Sequence, residues 1–221
     1  MILAIPLIET QVRAAGELRN MLAGWKASER TLDWLASEFP SETEYQIVFL
    51  KARILNLLYF TNVRAIGAMA QHIVDVFSQD YASPDDCSLV ETIAYLAAST
   101  MKHRSFASKY CHFFEDRERF PLFDGYARKM VRKHLGRGNY RCKTTDETYR
   151  NFYADLKTLR DRISFSPKVR ELDRYLWLRE QSETFDKQGD EAPISAEVKD
   201  LFKSRDWDAR VRTLIDELCG L

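Results

Sequence analysis

From Ser41 to Phe77 the chain is apolar at helical spacing with a single break. Ile47, Leu50, Ile54 and Leu57 recur three and four residues apart, as do Val63, Ile66, Ala70, Ile73, Val74 and Phe77 after the break. That period belongs to amphipathic helices, not to strands. Ser41 with Glu44 forms a capping box that opens the first run. Thr61-Asn62 interrupts the pattern as a plausible N-cap pair. The stretch therefore predicts two long helices meeting at a short elbow, Tyr59 to Asn62.

The rest of the chain follows the same period. Residues 7–23 place Ile8, Val12, Ala15, Leu18 and Leu22 on one stripe. Thr31 to Phe39 reads as a short helix stopped at Pro40. Ser88 with Glu91 opens a helix to Ser99, and another spans 106–114. Asp124 is an N-cap for GYARKMVRKHL, which Gly136 closes. Thr144 with Glu147 opens a helix to Ile163. Ser166-Pro167 opens VRELDRYLWLREQ. Residues 182–194 are polar and unpatterned, and DWDARVRTLIDELCGL makes a last amphipathic helix. There is no convincing strand, so the expected class is all-α with about nine helices. The expected organisation is a helical domain over 1–182, a linker or loop over 183–194 and a C-terminal helical appendage over 195–221.

Composition narrows the function classes. At 221 residues and 45% hydrophobic, the chain can bury a sizeable core. Its net charge is zero, so contact with a polyanion has to come from a local patch. MILAIPLI has no basic region before it and no small-residue cleavage site after it, and no apolar run reaches membrane-spanning length. The expectation is a cytoplasmic, monomeric protein with no membrane contact, nucleoid-associated if bacterial. Cys87, Cys111, Cys142 and Cys219 match no zinc or iron–sulfur spacing, and His72, His103, His112 and His134 form no ligand pair. Neither a metal nor a cofactor is expected.

Five features carry candidate chemistry. Lys109 lies in SFASKYCHFF, among small residues and aromatics; a lysine desolvated there would present a neutral amine, a nucleophile. Its plain alternative is a surface lysine with its head in water. Asp124 sits at a helix mouth, where the dipole keeps a carboxylate ionised beside a developing cation; its plain alternative is an ordinary cap. Arg128, Lys129, Arg132, Lys133, Arg137, Arg141 and Lys143 form a basic run with no carboxylate between Gly125 and Thr145. Its like-charged i, i+4 pairs cost helix stability unless an anion lies alongside, either a phosphate or an acidic neighbour in space. Gly136 and Gly138 add backbone amides. Tyr59, Phe60, Thr61 and Asn62 join two aromatics to two small polar groups, fit either to wedge into a base stack or to form a core corner. Trp177 is a core residue by default and a base-stacking platform otherwise.

Taken in order, these pieces resemble the helix-hairpin-helix DNA glycosylase superfamily, the group of endonuclease III, adenine glycosylase and 8-oxoguanine glycosylase. Phe60-Thr61-Asn62-Val63 is similar to the Gln-Thr-Gln-Val elbow of adenine glycosylase. SFASKYCHFF stands where bifunctional members carry their Schiff-base lysine. FPLFDGYARKMV looks like the family's Val-Pro-Val-Asp-Thr-His-Val-x-Arg segment. The resemblance covers residues 41–180. It departs at the hairpin, where Met101 to Lys109 has no glycine, and in lacking an iron–sulfur motif. It implies a two-lobed helical fold with a degenerate hairpin, acting on double-stranded DNA to flip and excise a damaged or modified base. It implies Lys109 and Asp124 as catalytic groups, and Phe60, Thr61, Asn62, Arg104, Ser105, Arg128, Lys129, Arg132, Lys133 and Arg137 on the DNA. Tyr59 and Trp177 would line the base pocket. The role would be repair or defence against modified phage DNA. The alternatives are a non-catalytic DNA-binding module and a helical protein-interaction domain.

Overall fold

The computed structural model describes residues 2–79, 86–97, 99–137 and 148–221. The protein is all-α. Among the described residues there are eleven α-helices: α1 Glu9–Met21, α2 Ala23–Glu38, α3 Tyr45–Tyr59, α4 Ile66–Ser78, α5 Asp86–Ala94, α6 Arg104–Phe114, α7 Gly125–His134, α8 Tyr149–Arg160, α9 Val169–Gln188, α10 Ala196–Ser204 and α11 Ala209–Cys219. A 3-10 turn, Gly189–Glu191, follows α9. No described helix is long and apolar enough to cross a membrane. The predicted Thr144–Glu147 capping box lies outside the described residues, as do Gly138, Arg141, Cys142 and Lys143.

The chain divides into two compact units. One comprises Met1–Ala27, Asp124–Asp146 and Ala154–Leu221; the other comprises Ser28–Phe123 and Glu147–Tyr153. In the first, α1 packs on α9 and α11, and α7 packs on α9. Leu18, Leu172, Tyr175, Leu176, Leu178, Val198 and Leu218 are fully buried there. The C-terminal helices α10 and α11 belong to this unit with α1. The stretch expected to be a linker is helical as far as Gln188, because Ser182 and Phe185 carry the buried side of α9 onward.

In the second unit α3 packs on α4 and α6, α4 on α5, and α5 on α6. The face of α3 that turns inward is not the expected one. Val48, Lys51, Ala52 and Leu55 are buried, whereas Leu50 is 40% and Leu57 64% exposed. The helix is apolar on every side, so periodicity alone leaves its rotation open. A buried polar group settles it. Lys51 donates to the carboxylate of Glu42, which also accepts the Tyr110 hydroxyl. A buried charge is tolerated only when paired in this way. The Ser41 hydroxyl accepts the Glu44 amide at 3.3 Å, but the N-cap is Glu44 itself, so α3 begins later than the capping box predicts. Glu91, expected to cap α5, instead accepts from Arg104 and from the Tyr149 amide, and α5 starts at Asp86.

α7 has the termini read from the sequence. Asp124 accepts the Tyr126 and Ala127 amides at 2.8 and 3.2 Å. At the other end Gly136 has φ +67°, with Gly136 N–H donating to Lys133 and Arg137 N–H to Arg132. That is a Schellman ending, which requires the left-handed residue glycine supplies.

Candidate functional site

In the second unit the elbow closes α3. Phe60 is the C-cap in the left-handed region, at φ +49°, and Asn62 follows at +58°. Both are uncommon conformations for residues with a Cβ. Phe60 is 76% exposed, while Val63 and Ile66 are buried and anchor the far side. Three hydrogen bonds from Asn56, inside the last turns of α3, hold the bend. Its Oδ1 accepts from Thr61 Oγ1 at 2.8 Å and from Val63 N–H at 2.9 Å, and its Nδ2 donates to Val63 C=O at 3.2 Å. Asn56 escapes the pattern analysis. Its signal is a polar amide in an otherwise apolar helix end.

The elbow and the turn between α5 and α6 enclose a cavity of about 810 Å3. Asn56, Asn62, Arg64, Ser99, Thr100 and His103 supply its polar lining, and among the described residues none that lines it is acidic. His103 Nε2 lies 3.1 Å from Ser99 Oγ, and loss of solvation lowers the His103 pKa. His103 is the N-cap of α6, and its side chain makes no capping hydrogen bond.

Lys109 is not a surface lysine; it is 4% exposed. Its side chain runs back along α6, with Nζ donating to Ser105 Oγ at 2.8 Å and Ser105 C=O at 3.3 Å. Nζ also lies 5.8 Å from the ring centroid of Tyr59, which tilts against Phe113. Tyr59, Ser105 and Lys109 are therefore one cluster, at the foot of the elbow. Ser108 Oγ accepts the Phe123 amide at 2.9 Å, and Tyr149 OH donates to Pro121 C=O at 3.0 Å. These bonds tie the segment that precedes Asp124 in the chain. Ser108 is a second residue that residue-type reasoning passes over, because a small residue on a buried helix face looks like packing.

Arg104 is not open to a phosphate. Its Nε donates to both oxygens of Glu91 at 2.8 and 2.9 Å, and Glu91 in turn takes the Tyr149 amide at 2.7 Å. A guanidinium in such a tie serves the packing of α5 and α6.

In the first unit Asp124 caps α7 with one oxygen on two amides. Tyr126 OH donates to Pro193 C=O at 2.8 Å. The basic run is partly neutralised by the protein itself. Lys133 donates to Glu180 and, at 2.7 Å, to Glu183, which also meets Arg179 at 3.2 Å. Arg137 pairs with Asp155. Thus two of the expected phosphate ligands have carboxylate partners, the acidic neighbours that like-charged i, i+4 pairs need. Arg128 and Arg132 are half-buried, and Lys129 is exposed with its Nζ 5.8 Å from the Tyr126 ring. Trp177 meets Trp25 edge-on at 5.0 Å, with the Arg19 guanidinium 4.9 Å from one ring and 5.5 Å from the other. Among the described residues no cluster of His, Cys, Asp or Glu is arranged to hold a metal ion.

A family model described as an N-terminal domain matches residues 8–119, slightly more than half of the chain. The match includes Asn56, the elbow and Lys109 and stops before Asp124. No curated protein and no solved structure matches the chain.

Proposed function

The chain belongs to the HI_0787_N family, whose description as an N-terminal domain states no activity, and from its own residues we propose that it is a DNA glycosylase using Lys109 as nucleophile. One observation carries this reading: a lysine 4% exposed, held by Ser105 and facing the Tyr59 ring at the foot of an exposed elbow. A lysine serving only solubility stays in water.

In the proposed reaction duplex DNA meets the elbow and the neighbouring cavity, whose described lining offers Arg64 and hydroxyls. Phe60 enters the stack and a base swings out, at a cost of a few kcal/mol that a damaged or poorly paired base lowers. The Lys109 amine adds to C1′. The glycosidic bond breaks with its electron pair on the base, and one amine proton ends on the departing base. Opening of the sugar gives the Schiff base, from which β-elimination cleaves the strand. Asp124, the cap of α7, is the carboxylate that the resemblance assigns to offsetting the positive charge at C1′. Phosphate contact falls to the exposed Lys129 rather than to Lys133, Arg137 or Arg104. The excised base is an oxidised purine in repair, or a hypermodified base in foreign DNA.

A second reading has its own support. Tyr45, Phe49, Leu50 and Leu57 are exposed along α3, an apolar face suited to a protein partner. One experiment separates the two. Free base is measured after incubation with a panel of duplexes, each carrying one modified or damaged base. The glycosylase reading expects release from at least one duplex, lost in Asp124→Asn, and strand cleavage lost in Lys109→Ala. No release, and no duplex binding at low salt, would leave the protein-interaction reading.

A further inference from the structure

We propose that Asn56 is the positioning residue of the elbow: its amide latches Thr61 and Val63 so that Phe60 is presented outward as a rigid wedge. The inference rests on the DNA-binding reading and names a determinant of it that acts on the backbone of the elbow.

The latch follows from hydrogen-bond inventory. Val63 N–H can only donate and Val63 C=O can only accept. An amide that meets both therefore has one orientation, Oδ1 toward the N–H and Nδ2 toward the carbonyl. The remaining lone pair of Oδ1 takes the Thr61 hydroxyl. A single side chain thus fixes both backbone groups of the residue that re-enters the core, and one side chain in the loop between.

The backbone between the latch points is strained, with Phe60 at +49° and Asn62 at +58°. The left-handed region is unfavourable for Phe60 and more readily adopted by an asparagine such as Asn62. Packing of the Phe60 ring does not repay this, since the ring is 76% exposed. Burial of Val63 and the three bonds from Asn56 do. A strained loop whose most apolar tip points into solvent is built to keep that tip outward. A wedge must also be stiff, because a loop free to fold back would lose to the base stack it is meant to open. Asn56 is on α3, a rigid element, and it borders the cavity beside the elbow, so the latch is part of the same surface.

Two measurements on full-length protein test the proposal. Hydrogen exchange in the absence of DNA follows residues 60–63, and fluorescence of 2-aminopurine in a duplex reports base unstacking. Wild type is expected to protect the Val63 amide and to raise the fluorescence on binding. Asn56→Ala is expected to lose that protection at least 10-fold. It should also lose most of the fluorescence rise at protein concentrations where the duplex is fully bound. Thr61→Val, which removes one bond of three, should fall between. Phe60→Ala should keep the protection and lose the fluorescence. Unchanged exchange at Val63 in Asn56→Ala overturns the latch whatever the DNA result. Wild-type fluorescence from Asn56→Ala overturns the wedge role while leaving the glycosylase reading standing. A wild-type protein that binds no duplex at low salt overturns the wedge together with that reading, and the exchange arm still decides the latch.

Discussion

Asp124 has one observed duty, as a cap, and one proposed duty, in chemistry, which one pair of substitutions separates. As a cap it accepts two amides of α7, and Asn caps about as well as Asp. Asp124→Ala is expected to lose about 1 kcal/mol of stability, and Asp124→Asn only a few tenths. If base release disappears in both, the charge is needed for chemistry and not for the helix; thermal denaturation beside the release assay shows it. His134 gives a pH dependence of known sign. It is fully buried, its Nδ1 donates to Ile5 C=O at 2.8 Å, and its Nε2 accepts from Tyr175 OH at 3.1 Å. Loss of solvation pushes its pKa below the ordinary 6.5. The unfolded chain therefore takes up a proton that the folded one refuses. Stability from this group is present above pH 6.5 and is lost as pH falls from there toward its folded value. Between pH 7 and 5 the wild-type Tm should drop more steeply than that of His134→Gln. The cap at Asp124 is legible in FPLFDGYARK because capping is a local preference. The burial of Lys109 is not, because it depends on Tyr59, far away in the chain.

At the scale of elements, α7 and α3 each show what periodicity leaves undecided. The basic run on α7 is readable, but the carboxylates that meet it are not. Glu180, Glu183 and Asp155 reach Lys133 and Arg137 from α9 and α8. This sorts the cations by experiment. Lys129→Ala should weaken duplex binding and lower the slope of log affinity against log salt by about 1. Lys133→Ala should leave that slope unchanged and instead cost about 2–3 kcal/mol of stability, because it leaves the buried Glu180 carboxylate without its partner. A wild-type slope in both variants would take both lysines off the DNA. In α3, apolar residues surround the helix, and the Glu42 carboxylate, which takes both Lys51 and the Tyr110 hydroxyl, fixes which stripe turns inward. A lysine at such a position reads as solvent-facing in a sequence, and so the expected stripe through Leu50 and Leu57 is the exposed one.

For the whole molecule the class is legible and the division is not. Helical spacing throughout, with few glycines and prolines, leads directly to an all-α protein. The two units are discontinuous in the chain, since the N-terminal helix α1 shares a unit with α9 and α11. Residues 183–188, expected as a connector, are part of α9. The family match over residues 8–119 covers the cluster of Tyr59, Ser105 and Lys109, while Asp124 lies beyond it. The account therefore stands or falls on Lys109. Incubation with a duplex containing an abasic site, followed by borohydride reduction and mass analysis of the protein, tests it most directly. The account predicts a covalent DNA adduct on the peptide that carries Lys109, lost in Lys109→Ala and retained in Asp124→Asn, whose lysine still meets an already exposed C1′. An adduct of equal yield in Lys109→Ala, or none with wild type under conditions where the duplex is bound, would contradict it.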